Sequence, residues 1–275
     1  TTALSELRNE CLFLHYDGVR YVFKRDPNVT KLVEEAEQEV ARDSAGVTAR
    51  IKEMLVQRLA GHREAIVWPT KSHEIPDEDP TFLIAYLPLD FASLKRDEQE
   101  RRAKELFEKH ADRPRRFRNG LGLAVPDKSQ VEPLRRAVRY ILATERVDTR
   151  KQQLRLSPDQ LNQLRERKRT EDAAAESALR QLYATVWLPR LEAGSIEIEQ
   201  IESAGRPLQA TGVHERILEL LMTVTNKVFP STTPRKIIEL VKLGEVPEGG
   251  TAPRLGAKAK EIVEAFYGFL GFPRL

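Results

Sequence analysis

The sequence predicts an α/β fold: a small, mostly parallel sheet with flanking helices, preceded by a β-hairpin and followed by a mainly helical region. Three observations carry this expectation. The run Leu121 to Val125 is free of charge, is entered through Asn119-Gly120 and is closed by Pro126, as suits a central strand of a parallel sheet. Ala65 to Trp68, stopped by Pro69, and Thr81 to Leu87, stopped by Pro88, read as two further strands. A helix from about Asp97 to Lys109 then leads into the Leu121 strand, giving a βαβ unit whose crossover is expected to be right-handed.

After that strand, Ser129 and Glu132 form a Ser-x-x-Glu capping box, and Val131, Leu134, Val138, Ile141 and Leu142 recur at helical spacing. Ahead of the sheet, Cys11 to Lys24 alternates through Leu12, Leu14 and Tyr16, turns at Asp17-Gly18 and resumes with Val19, Tyr21 and Phe23, which predicts a hairpin. It would suit the wing of a winged-helix unit whose helices precede Thr1. Pro27-Asn28 starts a helix with Asn28 as N-cap and Val29, Leu32, Val33, Ala36 and Val40 on one face. A second helix, about Ala45 to Ala60, ends at Gly61.

Beyond Val147 the reading is helical. Ser157-Pro158-Asp159-Gln160 is a capping box with proline at the first helical position, and the helix it opens is expected to run as far as Trp187. A short strand is expected at Ile196 to Ile201, then helices at about Val213 to Val228, Pro234 to Lys242 and Ala257 to Phe269, with a Gly/Pro-rich loop from Gly244 to Gly256. The expected divisions are therefore residues 1–60, 61–150 and 151–275.

A chain of 275 residues, 40% hydrophobic and 32% charged, is long enough for a full core split over two or three packed units. No uncharged apolar run approaches the roughly 18 residues of a membrane span, and the start lacks a signal-peptide layout, so a cytoplasmic protein without a membrane partner is expected. Cys11, the single cysteine, has no internal disulfide partner and reads as a buried, inert thiol. The chain opens on Thr1 and stops at Phe272-Pro273-Arg274-Leu275 without a polar tail, which reads as a piece of a longer protein.

Charge is the strongest functional signal. The net charge is only +3, yet residues 101 to 169 hold 20 Lys or Arg against 9 Asp or Glu, a net of +11, which leaves 25 against 33, or −8, elsewhere. Such asymmetry fits a basic face with an anionic partner, or else a solvated set of helices. Lys109, Arg113, Arg115, Arg116 and Arg118, interleaved with His110 and Phe117, are the candidate nucleic-acid contacts: guanidinium forks suit phosphates and rings stack on bases. Two other readings stay open. One is an arginine finger reaching a neighbouring subunit's nucleotide. The other is internal pairing with Asp90, Asp127 or the acidic loop Ser72 to Asp79.

No stretch carries a strong catalytic motif, and no catalytic residue is assigned. Asp90 and Asp127 each fall just after an expected strand, where parallel α/β sheets place their sites, so a Mg²⁺-dependent nuclease is the enzymatic alternative, with Asp77 or Glu78 as a third ligand. Acidic residues there are also ordinary turn and helix-entry residues. Gly120-Leu121-Gly122 precedes and enters a strand, whereas a dinucleotide fingerprint needs its glycines between strand and helix, so a close backbone approach is expected instead. His15, His62, His73, His110 and His214 lack metal-ligand spacing and read as surface or packing residues. A structural alternative makes Ala173 to Trp187 and Val213 to Val228 subunit contacts.

Several segments together resemble a domain-of-unknown-function family of large, uncharacterised prokaryotic P-loop (AAA-like) ATPases, encoded beside DNA methyltransferases in candidate phage-defence loci. The segments are Tyr21-Val22-Phe23-Lys24 leading to Pro27-Asn28-Val29-Thr30-Lys31-Leu32, Ala65 to Pro69, Arg116-Phe117-Arg118-Asn119 with Pro126-Asp127, and Phe266 to Leu275. The chain itself has no Gly-x-x-x-x-Gly-Lys-Ser/Thr loop, so no cofactor is expected in it. The resemblance implies an accessory C-terminal region of a parent that binds ATP and Mg²⁺, coupling it to DNA, to a methyltransferase-type partner or to a neighbouring subunit. It transfers no active-site residue.

Overall fold

The computed structural model describes residues 14–16, 19–23, 28–250 and 252–275. Cys11, the Asp17-Gly18 turn, Lys24 and Pro27, all used in the sequence reading, lie outside them. The chain is α/β and divides into two units that interleave in sequence: residues 1–54 with 129–179, and residues 55–128 with 180–275. The division therefore differs from three consecutive segments. A helical excursion separates two parts of one sheet-bearing unit.

The first unit holds the hairpin of β1 (Leu14–Tyr16) and β2 (Tyr21–Phe23), paired antiparallel as the alternation predicts. Helix α1 (Val29–Ala41) starts at Asn28, whose Oδ1 accepts from the Thr30 N–H at 3.0 Å while its Nδ2 donates to the Leu14 carbonyl at 3.1 Å. One side chain thus caps the helix and ties it to the hairpin. Helix α2 is Ser44–Arg58 and α4 is Lys128–Thr149. Helix α5 (Pro158–Leu182) opens with the expected capping box: the Ser157 N–H donates to Gln160 Oε1 at 2.7 Å and the Gln160 N–H to Ser157 Oγ at 3.3 Å. Val29, Val33 and Ala36 pack with Ala143, Val147 and Leu164 to form this unit's core. Helix α4 begins at Lys128, one residue ahead of the Ser129 at which the sequence placed its cap.

The second unit is built on a five-stranded sheet in the order β3-β4-β7-β8-β9. β3 (Ala65–Val67), β4 (Leu83–Tyr86) and β7 (Leu121–Val125) are parallel. β8 (Thr185–Glu192) and β9 (Ser195–Glu202) extend the sheet antiparallel. Leu83, Ala85, Leu121, Leu123, Val125 and Trp187 share one face, where Ala103 and Phe107 of α3 (Arg96–Glu108) close the core. Between α3 and β7 lies a small hairpin, β5 (Lys109–His110) and β6 (Arg113–Pro114).

Two expectations are corrected here. The helix does not reach Trp187 but ends at Leu182, and the segment after it is strand. The turn Ala193-Gly194 explains the change: both residues have positive φ (49° and 83°) and join β8 to β9 as a two-residue hairpin loop. The apolar stripe proposed for subunit contacts is also spent internally, since Leu179, Leu182, Val186, Trp187, Ile217, Leu220 and Leu221 are all buried.

Helices α6 (Val213–Glu219, continuing as a wider turn to Val224), α7 (Pro234–Leu240) and α8 (Ala259–Gly268) complete the unit. Phe266 and Tyr267 of α8 pack on Phe117 with Ile237, Leu240, Ile262 and Phe272 around them. Asn119 Nδ2 donates to the carbonyls of Phe266 (2.8 Å) and Phe272 (3.1 Å), which ties the turn ahead of β7 to the end of the chain. At Gly120 a Cβ would lie 2.6 Å from Tyr267 Cδ1, the close approach expected from the sequence.

Candidate functional site

The parallel strands β3, β4 and β7 all present their carboxyl ends at one edge, the position where open α/β sheets bind ligands. A cleft of about 660 Å³ opens there, lined by Pro69 to His73 after β3, Leu87, Pro88, Asp90 and Phe91 after β4, Arg101 and Arg102 of α3, and Ala111-Asp112 at the tip of the β5–β6 hairpin. Trp68, the last residue before this lining, has φ of 54° and is buried. A bulky side chain holds that backbone region only where its surroundings over-determine it. Here the Trp68 N–H donates to the Tyr86 carbonyl at 2.8 Å, its Nε1 donates to Tyr183 Oη at 2.9 Å, and Tyr183 Oη donates to the Leu87 carbonyl at 2.9 Å.

The candidate basic residues fall into two groups. Arg115 and Phe117 are interior residues, which corrects their reading as phosphate and base contacts. Arg115 is 2% exposed. Its Nε donates to the Leu106 carbonyl (3.0 Å), Nη1 to Pro76 (2.7 Å) and Nη2 to Ser72 (3.0 Å) and Ile75 (3.3 Å), and Asp77 stands 4.0 Å away. Burial pushes this guanidinium's pKa down and Asp77 opposes the shift. The Phe117 ring stacks on Tyr267 with centroids 5.4 Å apart. Arg116 is exposed but paired, with Glu78 at 2.8 Å and Glu264 at 2.7 Å, and Arg118 is half-buried. Asp77 accepts from the backbone N–H groups of Arg116 (2.9 Å) and Phe117 (3.0 Å). Burial pushes the Asp77 carboxyl up, but these N–H donors, that of Glu78 and the Arg115 charge outweigh it and hold the group below the usual carboxylate range. Of the open readings of the basic loop, internal pairing with the acidic loop describes Arg115 and Arg116.

Lys109 and Arg113 differ. Both are exposed on the hairpin whose tip lines the cleft, and with Lys71 on the cleft wall they have no carboxylate partner within 4.0 Å among the described residues. Arg101 and Arg102, also in the lining, are both drawn to Glu98 at 2.8 and 2.7 Å.

The two aspartates of the nuclease reading line different clefts. Asp90 lines the cleft just described, whereas Asp127 lines a separate one with Arg96, Gln99, Thr185 and Gln200. Asp77, a possible third ligand, is committed to backbone N–H groups.

The sequence reading missed a different constellation at the opposite end of β3. His62, Glu64 and His214 bring one donor atom each within 4.8 Å of one another, and they are the one such group of three or more His, Cys, Asp or Glu among the described residues. Glu64 Oε1 lies 3.2 Å from His62 Nδ1 and 3.0 Å from His214 Nε2. The outer ring nitrogens are also engaged: His214 Nδ1 with Tyr86 Oη at 2.8 Å, and His62 Nε2 with Glu215 at 3.3 Å. The His214 side chain is wholly buried, and His62 and Glu64 are about a quarter exposed (27% and 23%). Burial and the neighbouring His62 push the His214 pKa down, against the pull of Glu64 and Glu215. His62 and His214 are therefore not isolated, as the spacing implied. No local motif could reveal them, since 152 residues separate the two rings in sequence.

Compared with known proteins, this chain matches no protein-family model, no curated protein and no solved structure.

Proposed function

We propose that the chain is a non-catalytic binding region that holds a nucleic-acid backbone along the cleft at the carboxyl edge of β3 and β4. The observation that carries this reading is the separation of roles within the basic loop. Arg115, anchored on four carbonyl oxygens, fixes the hairpin against the acidic loop, while Lys109 and Arg113 of the same hairpin, and Lys71 in the loop after β3, keep their charges for solvent. Unpaired cations around a rigid groove are what phosphate positioning requires, and contacts of that kind fix register without reading sequence. Asp90, Glu105 and Asp112 lie in the lining with Lys71, while Lys109 and Arg113 stand on the hairpin beside it, so the phosphate track would run from Lys71 out along the hairpin. The resemblance to P-loop ATPases, which rests on sequence, extends the proposal: the region would couple a parent ATPase to DNA as its client.

Fluorescence anisotropy with a labelled mixed-sequence duplex tests this. The intact chain is expected to bind at low salt, and the charge-reversed Lys109→Glu/Arg113→Glu pair to lose binding while keeping its fold. Equal binding by both proteins would remove the cleft from consideration.

A further inference from the structure

We propose that His62, Glu64 and His214 form a binding site for a divalent transition-metal ion of the zinc class. Zinc takes imidazole nitrogen at about 2.0–2.1 Å and carboxylate oxygen at about 2.0–2.2 Å, so neighbouring donors in a tetrahedral shell stand about 3.3 Å apart. Glu64 Oε1 stands 3.0 and 3.2 Å from the two imidazole nitrogens that face it, a few tenths of an ångström from that spacing. Two imidazoles and one carboxylate are a donor set for zinc, iron or nickel rather than for magnesium or calcium, which favour oxygen shells.

The surroundings fit a metal as well as the donors do. A ligating histidine almost always donates its second ring N–H to an outer acceptor that fixes its orientation. Both rings have such a partner. With His214 Nε2 as ligand, Nδ1–H donates to Tyr86 Oη; with His62 Nδ1 as ligand, Nε2–H donates to Glu215. The donors stand on fixed elements. The Glu64 carbonyl accepts from the Ile84 N–H in the sheet at 2.9 Å, and His62 is held in the turn by its N–H to the Leu59 carbonyl at 3.1 Å. His214 lies in the first turn of α6, so a bound ion would clamp α6 to the amino end of β3. Three protein donors leave a coordination position for water or another ligand.

The site is independent of the cleft, and its test does not depend on nucleic acid. The intact chain is titrated with Zn²⁺ alone by calorimetry and with Co²⁺ by visible absorption. One equivalent of each ion is expected, with the Co²⁺ spectrum shifting away from that of the aquo ion. Removing a donor in His62→Ala or Glu64→Gln is expected to weaken binding by more than about 100-fold, and changing the outer acceptor in Glu215→Gln by about 10–100-fold. Zn²⁺ should raise the Tm of the intact chain, and that of Glu215→Gln only at higher concentrations, because binding to the folded state alone stabilises it. Absence of a one-equivalent step overturns the proposal. So does unchanged affinity in Glu64→Gln, which would leave the carboxylate as a hydrogen-bond acceptor between two histidines. Should His62→Ala fail to fold, the Glu64→Gln titration decides.

Discussion

Arg115 Nη1 lies 2.7 Å from the Pro76 carbonyl oxygen, and through this bond a buried guanidinium holds the β5–β6 hairpin onto the loop that follows β3. The same side chain donates to Leu106, Ser72 and Ile75, so truncating it removes the donor from one buried and three part-buried carbonyls and leaves Asp77 without its nearest charge. Arg115→Ala is therefore expected to lower the stability of the folded chain by about 3–5 kcal/mol, with Arg115→Lys intermediate because an ammonium cannot reproduce the planar fork. Urea unfolding followed by circular dichroism measures both. A cost under about 1 kcal/mol for the alanine variant would show the clamp to be replaceable by water.

Asp77 gives a pH signature. Its carboxyl titrates lower in the folded chain than in the unfolded one, because N–H donors from Arg116 and Phe117 and the Arg115 charge favour the ionised form over the opposing effect of burial. Its contribution is thus full above about pH 4, the unfolded value, and is lost as pH falls through the lower folded value. Asp77→Asn should be less stable than the parent at pH 7, and the difference should narrow as the solution is acidified below about pH 4. A difference that stays constant down to pH 2 would contradict this account.

Gly120 and Gly122 separate two degrees of crowding. A Cβ at Gly120 would meet Tyr267 Cδ1 at 2.6 Å, displacing a ring that stacks on Phe117 and donates its Oη to the Pro80 carbonyl at 3.0 Å. At Gly122 the nearest atoms are Leu188 Cδ2 and Phe82 Cζ, both at 3.2 Å. Gly120→Ala is expected to cost about 1–3 kcal/mol, the usual penalty of overpacking, and Gly122→Ala less. Thermal melts that reverse this order would place Tyr267 elsewhere.

Much of this fold is legible in the sequence, because the features that carry it are local. Leu121 to Val125 forms the strand with the bounds its apolar run indicates, and Asn28 and Ser157-Gln160 cap the helices they precede. The β8 strand was obscured by periodicity: Ala178, Leu179, Leu182, Tyr183, Val186 and Trp187 keep a helical spacing across a junction where pairing with β7 takes over. The better signal was Ala193-Gly194, a turn pair ahead of the Ile196 and Ile198 alternation. Legibility is lower for sites. That Arg115 faces inward while Arg113 faces solvent depends on a hairpin too short to show in composition, and the His62–Glu64–His214 cluster exists only once α6 is folded onto the start of β3.

The binding reading rests on cations that the fold leaves unpaired, so its most direct test is the salt dependence of duplex binding by the intact chain and by Lys71→Ala/Lys109→Ala/Arg113→Ala. Each phosphate neutralised on duplex DNA contributes about 0.9 to the slope of log affinity against log salt. Three contacts removed should flatten that slope by about 2.7, with circular dichroism unchanged because all three side chains are exposed. An identical slope and affinity in the two proteins would contradict the account and leave the cleft without a nucleic-acid role.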